Sequence, residues 1–479
     1  MFSIYFYFVL VYLFIMVGIV IYKSKAVKGS DDFSVAGRNL PAYILVTTLL
    51  ATWIGSGTLI AGAEFSYKQG IAGIWMPAGA WLGIFIMYFI AKKVRRFEMY
   101  TAPDILGVRY STLARVLGTL VIVIAYTAIV AYQFRAGGIV LNLVAGVSYD
   151  NGILITAIFV ILYTAFAGMI SIAYTDILNG SLILIASVAA LVLLIADGGG
   201  ASIIIDKIIS IDPSKITLTG HLTFLEILGY FIPTFILLLG EASMYQKFFS
   251  AKNEKHAKYA TVGWIVGTVI VETVFVLIAV IASSIYSLDE LGGRPEGIIL
   301  YVARYGLPVI FGSLLLAGAV AVIISTADSF LLTPATSFVK DIYQKFFRKS
   351  ASEKEILIIS RITVVILGII AFVQIRFYKS VLAMAIYAYT MYGVSLTPAL
   401  IAALLWKRAT SLGGTLSIIV GMVSTLSFEI YNVITGDKLF GLPTVIPALI
   451  LSVLTLIIFS YLSPKPSIER YGPFFTEIN

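Results

Sequence analysis

Apolar runs of roughly transmembrane length recur from one end of this 479-residue sequence to the other. A helix of about 20 such residues, rising 1.5 Å per residue, crosses a hydrocarbon layer of about 30 Å. About thirteen runs fit, near residues 3–22, 41–65, 74–91, 114–141, 152–168, 171–196, 223–245, 260–284, 309–336, 357–375, 381–405, 412–433 and 442–461. Helix is the expected form because lipid offers no partner to a free backbone N–H or C=O. Only 12% of the residues are charged, against about a quarter in soluble domains. The expectation is therefore an all-α polytopic membrane protein whose first partner is the lipid bilayer. The first run lacks a basic segment before it and a small-residue cleavage site after it, so it reads as a retained span, not a signal peptide.

The net charge of +8 points to basic cytoplasmic loops, not to nucleic acid. Placing the N-terminus outside and the C-terminus in the cytoplasm puts most Lys and Arg inside, in the segments 23–38, 92–115, 247–258, 340–361, 407–408 and 465–470. That fits a multi-pass protein of the cell membrane. The chain has no cysteine, which excludes disulfides and thiolate metal sites. His221 and His256 stand apart without ligand spacing. No P-loop, zinc-protease helix or dinucleotide-binding glycine pattern occurs in a suitable context, which argues against an ATP-driven pump or an enzyme.

The candidate chemistry lies inside the spans. In the second, residues 54–57 read IGSG in the middle of an apolar helix. Glycine weakens a helix there, and freed carbonyls are hard oxygen ligands of the kind that carriers offer to cations. Close packing of small residues is the plainer alternative. In the ninth span, Ser325, Asp328 and Ser329 share one stripe, with Thr326 turned about 100° away. Ser and Thr could simply bond back to their own helix. Asp328 could not, since a carboxylate at membrane depth costs about 3 kcal/mol or more unless paired or hydrated. Asp176 is a second such acid, in the sixth span, although capping a helix end would also explain it. Glu64, Glu241 and Glu272 lie at or near span interiors; Glu241 follows Gly240 at a potential second break, and Glu272 is a candidate ion-pair partner for Arg135.

Five blocks occur in an order that resembles the sodium:solute symporter family, which includes proline, sugar, pantothenate and choline carriers. They are DDFSVAGRNLP, KKVRRFEMYTAPDILGVRY, YTAFAGMISIAYTDILNG, MYQKFFSAKNEKHA and AVIISTADS with the following KDIYQ, and the resemblance runs from about residue 31 to residue 405. The resemblance implies a LeuT-like core of two inverted five-helix repeats, 41–196 and 223–405. Outside it stand an N-terminal helix at 1–22, two C-terminal helices at 412–461 and a cytoplasmic tail at 462–479. It implies a Na⁺ site with carbonyl ligands from Ala51, Ile54 and Val322 and hydroxyl ligands from Ser325 and Thr326. Some members use a second cation site, which here maps to Asp176, Ser325, Asp328 and Ser329. Two acids there leave room for H⁺ in place of Na⁺.

Where the family's proline carriers have an aspartate, two residues after the first carbonyl ligand, this chain has Trp53. The pattern from Ala51 to Glu64 is more similar to the choline-carrier relatives. Glu64 and Glu241 could attract an organic cation, and Trp53, beside Gly57 at the break, or Trp75 could face it through cation–π contact. The expected function is a secondary active symporter coupling the Na⁺ gradient to uptake of a small organic solute by alternating access. An H⁺-coupled carrier of the same fold, a non-transporting solute sensor and a channel are the alternatives.

Overall fold

The computed structural model describes residues 3–377 and 380–475. Among them every regular element is helical, and the only extended pairing is a single bridge between Leu40 and Ala251. Eleven continuous helical stretches are long and apolar enough to cross a membrane. The difference from about thirteen has two physical causes. The fifth and sixth spans form one helix, Tyr149–Asp197, bent at Gly168, whose φ of 66° and ψ of 168° leave the helical region. A Cβ at Gly168 would meet Phe33 Cδ2 at 2.7 Å, so close packing as well as backbone geometry selects glycine there. The second span, in turn, is divided into Ala42–Trp53 and a π turn Gly57–Gly62 that runs on into Ala63–Gln69.

The other expected spans are Ile4–Ser24, Trp75–Arg96, Thr112–Ala145, Glu254–Ala282, Val309–Ser337, Glu353–Gln374, Val381–Leu405, Ser411–Thr435 and Val445–Leu462. The seventh is broken like the second, into Phe224–Gly240 and Ala242–Ser250, with Glu241 extended between them. The bridge ties these two broken spans together. Leu40 N–H donates to Ser250 O at 3.0 Å, and Lys252 N–H donates to Leu40 O at 2.8 Å.

The ninth span packs on the sixth and fourth, the third on the seventh and eighth, and the seventh on the eleventh. The ninth and eleventh are the most buried, and the first and thirteenth the least. Outward-facing Phe85, Phe89, Ile185, Val192 and Ile369 are exposed, as helices facing hydrocarbon require. Short helices flank the bundle. Ala102–Arg109 is capped by Thr101, whose hydroxyl accepts from Asp104 N–H at 3.1 Å. Ala201–Ile211 lies in the long loop after the sixth span. The segment expected as a plain tail contains the helix Ile468–Phe475, docked through Phe474 against Phe97 with ring centroids 4.9 Å apart.

Candidate functional site

The break in the second span begins at Ile54, whose φ of −75° and ψ of 95° end the helix after Trp53. The last carbonyls of a helix lose their intrahelical partners, so those of residues near 51–54 need others. Thr326 of the ninth span supplies one: its hydroxyl donates to Thr52 O at 3.0 Å and approaches Ala51 O at 3.5 Å. The approach depends on Gly55, because a Cβ there would stand 2.4 Å from Thr326 Oγ1. Ile54 and Val322 are fully buried, with Val322 one turn before Thr326. Ser325, turned about 100° from Thr326, donates to the carboxylate of Asp176, which also accepts from Thr48 of the second span. Ala51 and Thr326 are thus brought together directly, and Ser325 sits beside them on the same helix. Carbonyl and hydroxyl oxygens form the hard, neutral donor set that suits a monovalent cation. Among the described residues no cluster of three His, Cys, Asp or Glu could hold a metal ion.

The second group is also assembled, around a cation already present. Asp176 accepts from Thr48 at 2.5 Å and from Asn179 at 3.3 Å, besides Ser325. Ser329 Oγ lies 2.9 Å from Thr52 Oγ1 and 3.4 Å from Asp328 Oδ1. Lys247, fully buried on the second half of the seventh span, donates to the same Ser329 Oγ at 3.0 Å. Through Ser329, Lys247 is linked to Asp328. Asp328 Oδ2 is buried without a hydrogen-bond partner.

The residues proposed for the solute separate. Trp53 and Gly57 line a cavity of about 30 Å³ between the second, third, seventh, eighth and eleventh spans, with Thr58, Glu272 and Tyr389. A Cβ at Gly57 would lie 2.3 Å from the Tyr389 hydroxyl oxygen and would displace that side chain. Glu64 lies farther along the second span, pairs with Lys68 at 2.6 Å and lines a separate cavity of about 480 Å³. Trp75 is turned away, donating its indole N–H to Leu218 O at 2.7 Å in the loop after the sixth span. Glu241 caps the second half of the seventh span, accepting from Ser243 N–H at 3.2 Å and Met244 N–H at 3.0 Å, and it also accepts from the Tyr126 hydroxyl.

The expected Glu272–Arg135 pair does not form. Arg135 donates to Ile375 O at 3.4 Å. Glu272 instead accepts from Trp53 Nε1 at 3.0 Å, Trp81 Nε1 at 2.6 Å and Thr58 Oγ1 at 3.2 Å. Sequence reasoning missed this site because its members come from three spans and share no local pattern. The one available signal was an acid without a nearby basic residue on its own helix.

Comparison with known proteins identifies the family and the fold. The model of the Sodium:solute symporter family matches residues 33–421. The osmoregulated proline transporter OpuE of Bacillus subtilis is 25% identical over 95% of this chain and 94% of its own. The high-affinity proline transporter PutP of the same organism is 27% identical over 95% and 96%. A solved Na⁺-coupled sialic acid symporter, in a substrate-bound outward-open state, superposes with a TM-score of 0.82 at 18% identity, over 97% of this chain and 98% of its own. Mhp1, a nucleobase-cation-symport-1 family transporter, does so with a TM-score of 0.62 at 14% identity, over 92% and 97%. With a family match over most of its length, a helical bundle of the same architecture and cation-type oxygens gathered at a broken helix, the chain belongs to the Sodium:solute symporter family: it is a Na⁺-coupled membrane carrier of a small organic solute, and not an enzyme.

Proposed function

We propose that this carrier works in the cell membrane, with its N-terminus outside and its C-terminus in the cytoplasm, and that one Na⁺ binds at Ala51, Ile54, Val322, Ser325 and Thr326. The observation that carries this reading is the approach of Thr326 to the carbonyls of Ala51 and Thr52. These groups belong to the proposed repeats 41–196 and 223–405, so an ion between them fastens one repeat to the other. Na⁺ then favours the state in which the groups converge, and its departure releases the repeats to rock. A ligand shifts such an equilibrium only by its difference in affinity for the two states.

The second cation site, Asp176, Ser325, Asp328 and Ser329, is read differently. We read the Lys247 ammonium, bonded to Ser329 beside Asp328, as the positive charge of this group. A buried charge needs such compensation, and a tethered ammonium supplies it without a second Na⁺. The proposed solute position is the central cavity at Trp53 and Gly57, with the separate cavity lined by Glu64 read as its vestibule. The relatives named as proline carriers make a zwitterionic amino acid one candidate solute.

Proteoliposomes test the reading. A screened metabolite should accumulate above its bath concentration under an inward Na⁺ gradient and not under an equal K⁺ gradient. Equal accumulation under both gradients, or flow that never exceeds equilibrium, contradicts it.

A further inference from the structure

We propose that Glu272 is the recognition carboxylate of the central cavity and that the solute it takes carries a positively charged nitrogen. This deepens the reading of that cavity as the solute site and rests on it. Glu272 is buried on the eighth span, and it lines the cavity beside Trp53, Thr58 and Tyr389.

The hydrogen-bond pattern favours its charged form. Indole N–H groups donate and cannot accept. Trp53 donates to Oε1 and Trp81 donates to Oε2, so both carboxylate oxygens are acceptors. Thr58 adds a third donor on Oε1. A carboxylate offers about four acceptor positions, which leaves one directed neither at an indole nor at Thr58. The arrangement suits an anion, yet its donors are all neutral groups. Among the described residues no Lys, Arg or His forms an ion pair with Glu272, and Arg135 is committed to Ile375 O. A buried charge held by neutral donors alone lacks the counter-charge that buried ions require.

The surroundings define what can provide it. The cavity, of about 30 Å³, has Met76, Pro77 and Phe275 as apolar walls. Its size suits the head group of a solute and not a whole solute. The rest of a solute would extend toward the vestibule of about 480 Å³, which is built on the same second, seventh and eleventh spans. There Glu64, Glu226 and Glu429 face Lys68 and Lys438, an acidic excess that favours entry of a cation over an anion.

The test uses the full-length protein in detergent at fixed NaCl, with pyrrolidinium and tetramethylammonium chlorides as head-group probes and KCl at equal ionic strength as the control. One or both probes should raise the melting temperature of the wild type saturably. Glu272→Gln should weaken that binding by about tenfold or more. No ammonium-specific shift in the wild type, or the same shift in the variant, overturns the proposal. A shift by NaCl over KCl that persists in Glu272→Gln shows the variant to be folded. Should that variant fail to fold, Glu272→Asp keeps the charge and must keep a weakened probe effect; its complete absence also overturns the proposal. Loss of the NaCl-over-KCl shift in the wild type contradicts the Na⁺ reading instead, and leaves the ammonium result to be judged by itself.

Discussion

Thr326 donates its hydroxyl to the carbonyl of Thr52 at 3.0 Å, across the gap between the ninth span and the end of the broken second span. A hydroxyl both donates and accepts. The atom that closes this hydrogen bond can therefore turn a lone pair to a cation while the carbonyls do the same. Hydrogen bond and ion coordination are two uses of one set of oxygens, and the exchange costs little rearrangement of the backbone.

Gly55 sets the closeness of that approach. A Cβ would stand 2.4 Å from Thr326 Oγ1 and 2.9 Å from Thr326 Cβ. Gly55→Ala must push the spans apart, at a cost of about 1–3 kcal/mol for overpacking. We expect a lower melting temperature together with a loss of Na⁺-specific stabilisation, read in one thermal-shift titration with NaCl and KCl arms. Full Na⁺-specific stabilisation in this variant would mean that the ion binds elsewhere.

Lys247 carries the prediction about stoichiometry. Its ammonium bonds to Ser329, which lies 3.4 Å from Asp328. Lys247→Gln keeps a donor for Ser329 but leaves Asp176 and Asp328 without the charge. A second Na⁺ should then enter, and reversal potentials should shift to a higher Na⁺-to-solute ratio with a steeper Na⁺ dependence. An unchanged ratio would show that Lys247 does not stand in for a cation.

Glu241 is a helix cap in this structure, bonded to Ser243, Met244 and Tyr126. Glu241→Ala strips a buried cap and leaves those donors unpaired, a loss of about 2 kcal/mol or more. Thermal unfolding should show it, with little change in the solute concentration for half-maximal uptake. A stable variant with a selectively raised half-saturation would instead place Glu241 at the solute.

The two tryptophans singled out from sequence should behave differently. Trp53→Phe takes an indole donor from Glu272 and reshapes the wall of the solute cavity, so the solute concentration for half-maximal uptake should rise about tenfold or more. Trp75→Phe removes only the bond to Leu218 O in the outer loop. Its half-saturation should stay close to that of the wild type in the same uptake assay.

The contrast between these residues shows what the sequence could reveal. The spans were legible because hydrocarbon thickness imposes a run length, and the breaks because IGSG and Gly240-Glu241 interrupt apolar helices. The Ser325-Thr326 pair was legible because helical geometry sends adjacent side chains to different neighbours, and the structure puts Asp176 and Thr52 there. The environment of Glu272 was not, since Trp53, Thr58 and Trp81 meet it only through packing of distant spans. The same holds for Lys247, which in sequence belongs to a run of residues near a basic loop. The helices Ser30–Val35, Ile298–Tyr305 and Ile468–Phe475 are too short to announce themselves by periodicity.

The most direct measurement is the Na⁺ concentration that gives half-maximal thermal stabilisation of the purified protein, compared among wild type, Ser325→Ala and Thr326→Ala with K⁺ as the control ion. Removing one hydroxyl ligand should raise that concentration about tenfold or more, beyond the modest fall in melting temperature that a lost buried hydrogen bond gives equally in K⁺. Unchanged Na⁺ requirements in both variants would contradict a Na⁺ site between the broken second span and the ninth.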